Sequence, residues 1–168
     1  DMTREGFADA IASGQLESVL NYVEAQKGDC FFIPSGTLHA LLDGLLIAEI
    51  QQNSDSTYRV YDYNRRDAQG NTRPLHVQKA LDVITLASSK GQERVCVREE
   101  KMGQNTRAEL VNCDYFAVSR YELHEPLELA TGRQSFEILI FCEGEGHIRY
   151  EGGAVEFCEG DSFVIPAY

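Results

Sequence analysis

The sequence predicts a mostly β protein built on antiparallel jelly-roll barrels, with short N-terminal helices and one connecting helix. Three observations predict this class. Short apolar runs alternate with turns rich in Gly and Asp, one strand module occurs twice, and helical spacing is confined to residues 3–23 and one later stretch. Each strand of such a barrel buries one face, which explains the many short apolar runs.

Helical spacing first appears in residues 3–23. Thr3 is placed to cap a short helix, the pair Ser13-Gly14 interrupts it, and a second apolar stripe follows. A further short helix is predicted over residues 77–84, after a polar loop at residues 64–74. The helices therefore border the sheet and do not form the body of the protein.

The other regular elements are predicted to be strands, because their apolar residues alternate between turn signals. The predicted strands are Cys30–Pro34, Leu45–Gln51, Tyr58–Tyr63, Val95–Arg98, Ala108–Asn112, Tyr115–Leu123, Gln134–Cys142, Gly146–Tyr150 and Ala154–Phe157. We interpret residues 1–26 as a helical insertion, residues 27–90 as the end of one barrel with its connecting segment, and residues 91–168 as a second, truncated barrel.

A strand module that occurs twice supports this architecture. Residues 27–34 read KGDCFFIP, and residues 159–166 read EGDSFVIP. In both copies Gly-Asp forms a turn, an apolar strand follows, and a proline ends the pairing because it has no N–H to donate. The positions of the copies predict that the chain is a piece of a longer protein. The alternative is a small natural domain whose helices replace the missing strands.

Composition excludes some classes of partner. The 168 residues carry a formal net charge of −12, which disfavours nucleic acid because its phosphates are also negative. No apolar run approaches the roughly 20 residues that a membrane helix needs, and the N-terminus lacks a signal-peptide pattern. Five cysteines without a C-x-x-C pair indicate reduced thiols, so a cytoplasmic protein is expected.

The run GDCFFIPSGTLHALLDGLLIAEIQQNSDSTYRVYDYNR at residues 28–65, followed by RPLHVQKALDVI, resembles the bacterial type I mannose-6-phosphate isomerases. These are zinc-dependent proteins of the cupin superfamily that interconvert mannose 6-phosphate and fructose 6-phosphate. The resemblance extends through nearly the whole chain and implies that it corresponds to the C-terminal half of such an enzyme. It also implies a phosphorylated hexose as the substrate.

The resemblance assigns roles to four residues. His39, in the P-x-G-x-x-H turn, matches a ligand of the single zinc ion, whose other ligands come from upstream of this chain. Arg59 matches the catalytic arginine, Glu49 an active-site carboxylate, and Arg65 a basic residue near the substrate's phosphate. Isomerisation develops negative charge on the oxygens of an enediolate, which a fixed guanidinium stabilises. With one zinc ligand, the isolated chain is expected to bind zinc weakly and to be inactive.

Each of these residues also has an ordinary structural interpretation. His39 could be a hydrogen-bonded turn histidine, Glu49 a solvated strand residue, and Arg65 a solvated loop residue. Arg59 could form a surface ion pair with Asp55 or Asp62. The competing function is a non-catalytic, cupin-like module that binds a sugar or mediates association. A barrel edge left exposed by missing strands could also pair with another copy of the chain.

Overall fold

The computed structural model of the chain describes residues 2–86 and 94–168. It divides into two units, Asp1–Glu122 and Leu123–Tyr168. The first contains all the helices and a three-stranded sheet, and the second contains two two-stranded sheets. The predicted mostly β class is confirmed.

The helices form where the sequence predicts them. Helix α1 spans Arg4–Ala12, and the hydroxyl of Thr3 caps it by accepting a hydrogen bond from the Gly6 N–H at 3.1 Å. The chain then turns at Gly14, whose φ is +69°, and a 3₁₀ helix follows at Leu16–Val19. Helix α2 spans Val77–Val83. Within the described residues, no helix is long and apolar enough to span a membrane.

The first unit holds an antiparallel sheet of three strands in the order β1-β2-β3. Their bounds are Arg98–Met102, Asn105–Asn112 and Ala117–Glu122. The predicted run Val95–Arg98 is therefore wrong in its bounds, since β1 only begins at Arg98. The two other strands predicted for this sheet, Ala108–Asn112 and Tyr115–Leu123, are confirmed, with their ends shifted by up to three residues.

The second unit pairs β4, Glu137–Ile140, with β7, Ser162–Ile165. It also contains a hairpin of β5, Gly146–Tyr150, and β6, Gly153–Phe157. A tight turn joins β5 and β6, and Gly153 at its end has a φ of +150°. The predicted strands Gly146–Tyr150 and Ala154–Phe157 are confirmed within one residue, and the predicted Gln134–Cys142 is confirmed only over Glu137–Ile140.

The repeated module has one turn geometry in both copies. Gly28 and Gly160 have φ values of +87° and +91°, which favour glycine because a side chain would be strained there. Asp29 and Asp161 each accept a hydrogen bond from the backbone N–H three residues earlier, at 2.7 and 2.8 Å. The repeat is thus a structural unit in which the aspartate closes the turn onto its own backbone.

Three predicted strands are absent from the described structure. The runs Cys30–Pro34, Leu45–Gln51 and Tyr58–Tyr63 have no regular strand, although Phe31 forms a single bridge with Arg94. A strand is defined by hydrogen bonds to a neighbouring strand. These runs have suitable residues, but the described chain offers them no neighbour with which to form a ladder.

The core of the first unit lies between the helices and the segment around Val60. The buried side chains of Phe7, Leu16, Val60 and Ala80 form one cluster. Half-buried apolar residues surround it: Met2, Ile11, Leu20, Leu38, Tyr61, Leu81, Ile84 and Leu86. This cluster fixes both the segment that carries Arg59 and the turn that precedes His39.

Candidate functional site

His39 lies at the end of a tight turn. Gly36, with a φ of +85°, allows the turn, and the Thr37 N–H donates to the Pro34 carbonyl at 3.1 Å. The His39 ring is exposed, and its Nδ1 lies 2.9 Å from the Thr37 carbonyl oxygen. Because a carbonyl oxygen can only accept, Nδ1 carries the proton, and Nε2 of the neutral ring keeps its lone pair. This is the tautomer that metal-binding histidines commonly adopt.

Arg59 is held against the start of α2. Its backbone N–H donates to Nδ1 of His76 at 3.3 Å, and its carbonyl accepts from the His76 N–H at 2.7 Å. Arg59 is half-buried as a residue, and its guanidinium donates from Nη1 to the Pro74 carbonyl at 3.5 Å in an exposed position. Among the described residues it forms no ion pair with Asp55 or Asp62. The surface ion pair considered for Arg59 is therefore not formed.

Asp62 and Arg73 form an ion pair with two hydrogen bonds, and the sequence did not point to it. Asp62 is buried, and its two carboxylate oxygens accept hydrogen bonds from Nε and Nη2 of Arg73, the first at 2.8 Å. This pair holds the pKa of Asp62 below its usual range, with smaller contributions from the charges of Arg65 and Arg59. The available signal was the predicted strand Tyr58–Tyr63, in which Asp62 shares a face with the apolar Val60, since a carboxylate buried beside it needs a cation.

Arg65 and Glu49 are less constrained than Arg59. The guanidinium carbon of Arg65 lies 5.1 Å from the centroid of the Tyr63 ring, a cation–π contact on an exposed loop. Glu49 is exposed and makes no side-chain hydrogen bond or ion pair to the part of the chain that the structure describes. The structure thus places Arg59 and Arg65 within electrostatic reach of Asp62, whereas no described contact connects Glu49 with them.

A second polar cluster lies on the sheet of the first unit. A cavity of about 300 Å³ is lined by Cys96, Arg98, Glu100, Arg107 and Glu109. Across β1 and β2, Arg98 faces Glu109 and Glu100 faces Arg107, so each arginine is opposite a carboxylate. The two positive and two negative charges compensate one another. This arrangement stabilises the sheet and leaves no excess charge for a ligand.

The described residues do not by themselves form a metal site. Within residues 2–86 and 94–168, no group of three or more His, Cys, Asp or Glu side chains is arranged to hold a metal ion. A catalytic zinc site usually needs three protein ligands and one open position. His39, the zinc ligand that the resemblance predicts, belongs to no such group within these residues.

Comparisons with known proteins agree with the resemblance seen in the sequence. A family model for the cupin domain of mannose-6-phosphate isomerase matches residues 106–168. Mannose-6-phosphate isomerase ManA of Bacillus subtilis is 37% identical over 164 residues, which cover 98% of this chain and 51% of ManA. The mannose-6-phosphate isomerase of Streptococcus mutans is 31% identical and covers 98% of this chain and 51% of its own length.

The crystal structure of the mannose 6-phosphate isomerase from Bacillus subtilis superposes with a TM-score of 0.88 at 37% identity, covering 98% of this chain and 52% of that one. The chain therefore spans about half the length of the relatives it matches. The predicted cupin-type fold is confirmed, because the family model and the superposition agree on it.

Proposed function

This chain belongs to the mannose-6-phosphate isomerase family of the cupin superfamily and matches the C-terminal portion of its relatives, and on that premise we propose that it is part of an enzyme that interconverts mannose 6-phosphate and fructose 6-phosphate. The observation that carries the proposal is the superposition over 98% of the chain with a TM-score of 0.88. In this proposal residues 27–90 complete the catalytic barrel and residues 91–168 form the C-terminal barrel.

Arg59 is proposed to be the catalytic arginine. Transfer of a proton between adjacent carbons of the sugar passes through an enediolate, whose oxygens gain negative charge. A guanidinium stabilises that charge best when it is already in position, because no reorganisation is then needed. The Arg59 backbone is fixed by two hydrogen bonds, one to the His76 ring and one from the His76 N–H, and this together with burial of the adjacent Val60 supports the role.

His39 is proposed to be one ligand of a single zinc ion. The hydrogen bond from its Nδ1 to Thr37 leaves Nε2 as the free donor atom, as metal binding requires. The described residues do not supply the remaining ligands, so we propose that they come from the part of the relatives that this chain does not match. Zinc, when bound, would stabilise negative charge on the substrate's oxygens.

The isolated chain offers a direct test of the proposal that most zinc ligands lie outside it. We expect weak zinc binding and negligible isomerase turnover, because one imidazole is not a catalytic metal site. Equilibrium dialysis against zinc, followed by metal analysis, measures the stoichiometry. Tight binding of one zinc ion per chain, abolished by His39→Ala, would contradict the proposal that most ligands lie elsewhere.

Arg65 and Glu49 have proposed roles toward a phosphorylated hexose. Arg65, an exposed cation, would contact the phosphate, which a guanidinium can bind through two parallel hydrogen bonds. Glu49 would orient a sugar hydroxyl or transfer a proton. Its carboxylate has no partner among the described residues and is therefore available for either task.

We also propose that His39 and Arg59 face a common cavity. His39 follows Leu38, which packs against the apolar cluster, and Arg59 precedes Val60, which belongs to that cluster.

In the full-length enzyme, Arg59→Ala should lower kcat by about 10²–10³, the usual effect of removing a charge-stabilising donor. Arg66→Ala is the matched control, because this exposed loop arginine donates to the Gly70 carbonyl at 2.8 Å. Equal turnover of the two variants would refute the role of Arg59.

A second candidate is a non-catalytic, cupin-like module that binds a sugar or mediates association. The lack of a three-ligand metal group among the described residues favours it for the chain alone. Binding of mannose 6-phosphate by the isolated chain, unchanged in Arg59→Ala, would favour this function over the isomerase. We further propose a cytoplasmic location, supported by the five free thiols Cys30, Cys96, Cys113, Cys142 and Cys158.

A further inference from the structure

The contact between Arg59 and His76 differs from an ordinary strand pairing, because a side chain takes part in it. Two residues that face each other in an antiparallel pair can exchange two backbone hydrogen bonds. Here the His76 N–H donates to the Arg59 carbonyl at 2.7 Å, as in such a pair. The return bond is different, since the Arg59 N–H donates to Nδ1 of the His76 ring at 3.3 Å. The imidazole thus takes the place of a backbone acceptor.

The start of helix α2 explains why a side chain is needed at this point. The carbonyl of His76 accepts a hydrogen bond from the Ala80 N–H at 2.9 Å, which closes the first turn of the helix. That carbonyl is therefore committed to α2, and the Arg59 N–H needs another acceptor. Because Arg59 is half-buried, leaving its N–H without a partner would cost free energy.

This task requires an acceptor in the side chain of residue 76. A ring nitrogen that accepts a hydrogen bond carries no proton, so the neutral His76 ring is protonated at Nε2. Lysine and arginine have donors and no acceptor, and leucine has neither. Asparagine could do the same work as histidine, because its side-chain oxygen stands at the position of Nδ1 and accepts hydrogen bonds.

Both partners of this contact are anchored in the same core. Ala80, one turn along α2 from His76, is buried in the cluster that also contains Val60, the residue after Arg59. The Arg59 side chain depends on the same segment, since its Nη1 donates to the carbonyl of Pro74 at 3.5 Å. The short segment before α2 therefore holds the backbone of Arg59 and contacts its guanidinium.

We propose that His76 is a positioning residue for the isomerase reaction, whose imidazole fixes the backbone from which the Arg59 guanidinium extends. The inference rests on the proposed function of Arg59 and adds a second residue to it. In this role the imidazole acts through Arg59. A guanidinium displaced by about 1 Å stabilises the enediolate less, and misplacement of that size can lower a rate by about 10²-fold.

The kinetics of the full-length enzyme test this role with two substitutions at one position. His76→Leu removes the acceptor and should lower kcat by about 10–10²-fold. KM should change little, because Arg59 acts on charge that develops only in the transition state. His76→Asn keeps an acceptor at the position of Nδ1 and should restore most of the lost kcat. The matched control is His147→Leu in the second unit, where the exposed ring lies 3.5 Å from Glu156; it should leave both constants unchanged.

A double variant separates positioning from a general structural role. Adding His76→Leu to Arg59→Ala should lower kcat no further, because the group to be positioned is already absent. A further loss as large as that of His76→Leu alone would overturn the inference. Full activity of His76→Leu beside a large loss in Arg59→Ala would overturn this inference alone, whereas full activity of Arg59→Ala would overturn the proposed function with it.

The tautomer of His76 gives a readout that does not depend on activity. Long-range proton–nitrogen correlation spectra of the enzyme with isotope-labelled histidine should show the neutral His76 ring protonated at Nε2. The His76 signals are assigned by their loss in His76→Asn. A neutral ring protonated at Nδ1 could not accept the Arg59 N–H there and would overturn the inference, even if His76→Leu fails to fold.

Discussion

Gly36→Ala should destabilise the first unit, because Gly36 lies in the turn that leads to His39. Gly36 has a φ of +85°, a conformation that strains any residue with a side chain. An added Cβ would lie 2.8 Å from the Val83 carbonyl oxygen and 2.9 Å from the Thr85 hydroxyl oxygen. Both contacts are shorter than a carbon and an oxygen tolerate, so the turn or the end of α2 must move.

The structure gives the expected size of the effect. The left-handed backbone costs an alanine about 1–2 kcal/mol. Movement of the turn also weakens the hydrogen bond from the Thr85 N–H to the Gly36 carbonyl, now 2.9 Å, which is worth about 0.5–1.5 kcal/mol. The free energy of unfolding should therefore fall by about 1.5–3.5 kcal/mol. That is a large part of the roughly 5–15 kcal/mol that stabilises a typical domain.

Gly44→Ala is the control that separates strain from overlap. Gly44 has a φ of +79°, but an added Cβ there would meet nothing within 4 Å. Gly44→Ala should therefore lower the free energy of unfolding only by the cost of the left-handed backbone, about 1–2 kcal/mol. Urea unfolding followed by circular dichroism measures the difference, which should appear as a lower midpoint at an unchanged slope. Equal midpoints for the two variants would show that Gly36 does not pack against the end of α2.

Three further predictions concern the core, an ion pair and a thiol. Val60→Ala should lower the free energy of unfolding by about 1.5–2.5 kcal/mol, because Val60 is buried. The control Val83→Ala should lower it little, because Val83 is 54% exposed. Equal losses in urea unfolding would place Val60 outside the core. The pKa of Asp62 is lowered in the folded state. The carboxylate therefore adds to the free energy of unfolding above its unfolded pKa of about 3.9, and this stabilisation is lost as pH falls through the folded pKa. Asp62→Asn should therefore be less stable than the unmodified chain at neutral pH, and a deficit of the same size in acid, measured by urea unfolding, would contradict this. The carboxylate of Asp161 lies 3.4 Å from the Cys158 sulfur and raises the pKa of that thiol. Asp161→Asn should therefore speed the alkylation of Cys158 by iodoacetamide. An unchanged rate would argue against the contact.

The sequence predicted features that depend on neighbours close along the chain. The turn at Gly28-Asp29 and its repeat at Gly160-Asp161 need a glycine at positive φ and an aspartate that bonds to its own backbone. Helix α1 begins at Thr3 because a hydroxyl caps the nearby N–H of Gly6. These interactions span three residues or fewer, so residue types alone specify them.

Long-range contacts were not predictable in the same way. The pair formed by Asp62 and Arg73 closes across a loop of ten residues, and the sequence offered Arg59 as an equally suitable partner for the carboxylate. The hydrogen bonds between Arg59 and His76 likewise depend on how the start of α2 meets the core. Packing decides which arginine pairs with a given carboxylate, since several arginines could neutralise the same charge.

The sequence by itself determined the repeated turn, because a glycine followed by an aspartate specifies it locally, and its resemblance to the isomerases predicted the family to which the comparisons point. The tertiary structure alone decided that Leu45–Gln51 remains an unpaired, exposed segment within the described residues. Local pattern sets which residues can form a strand, whereas a strand exists only when a second segment supplies its hydrogen bonds.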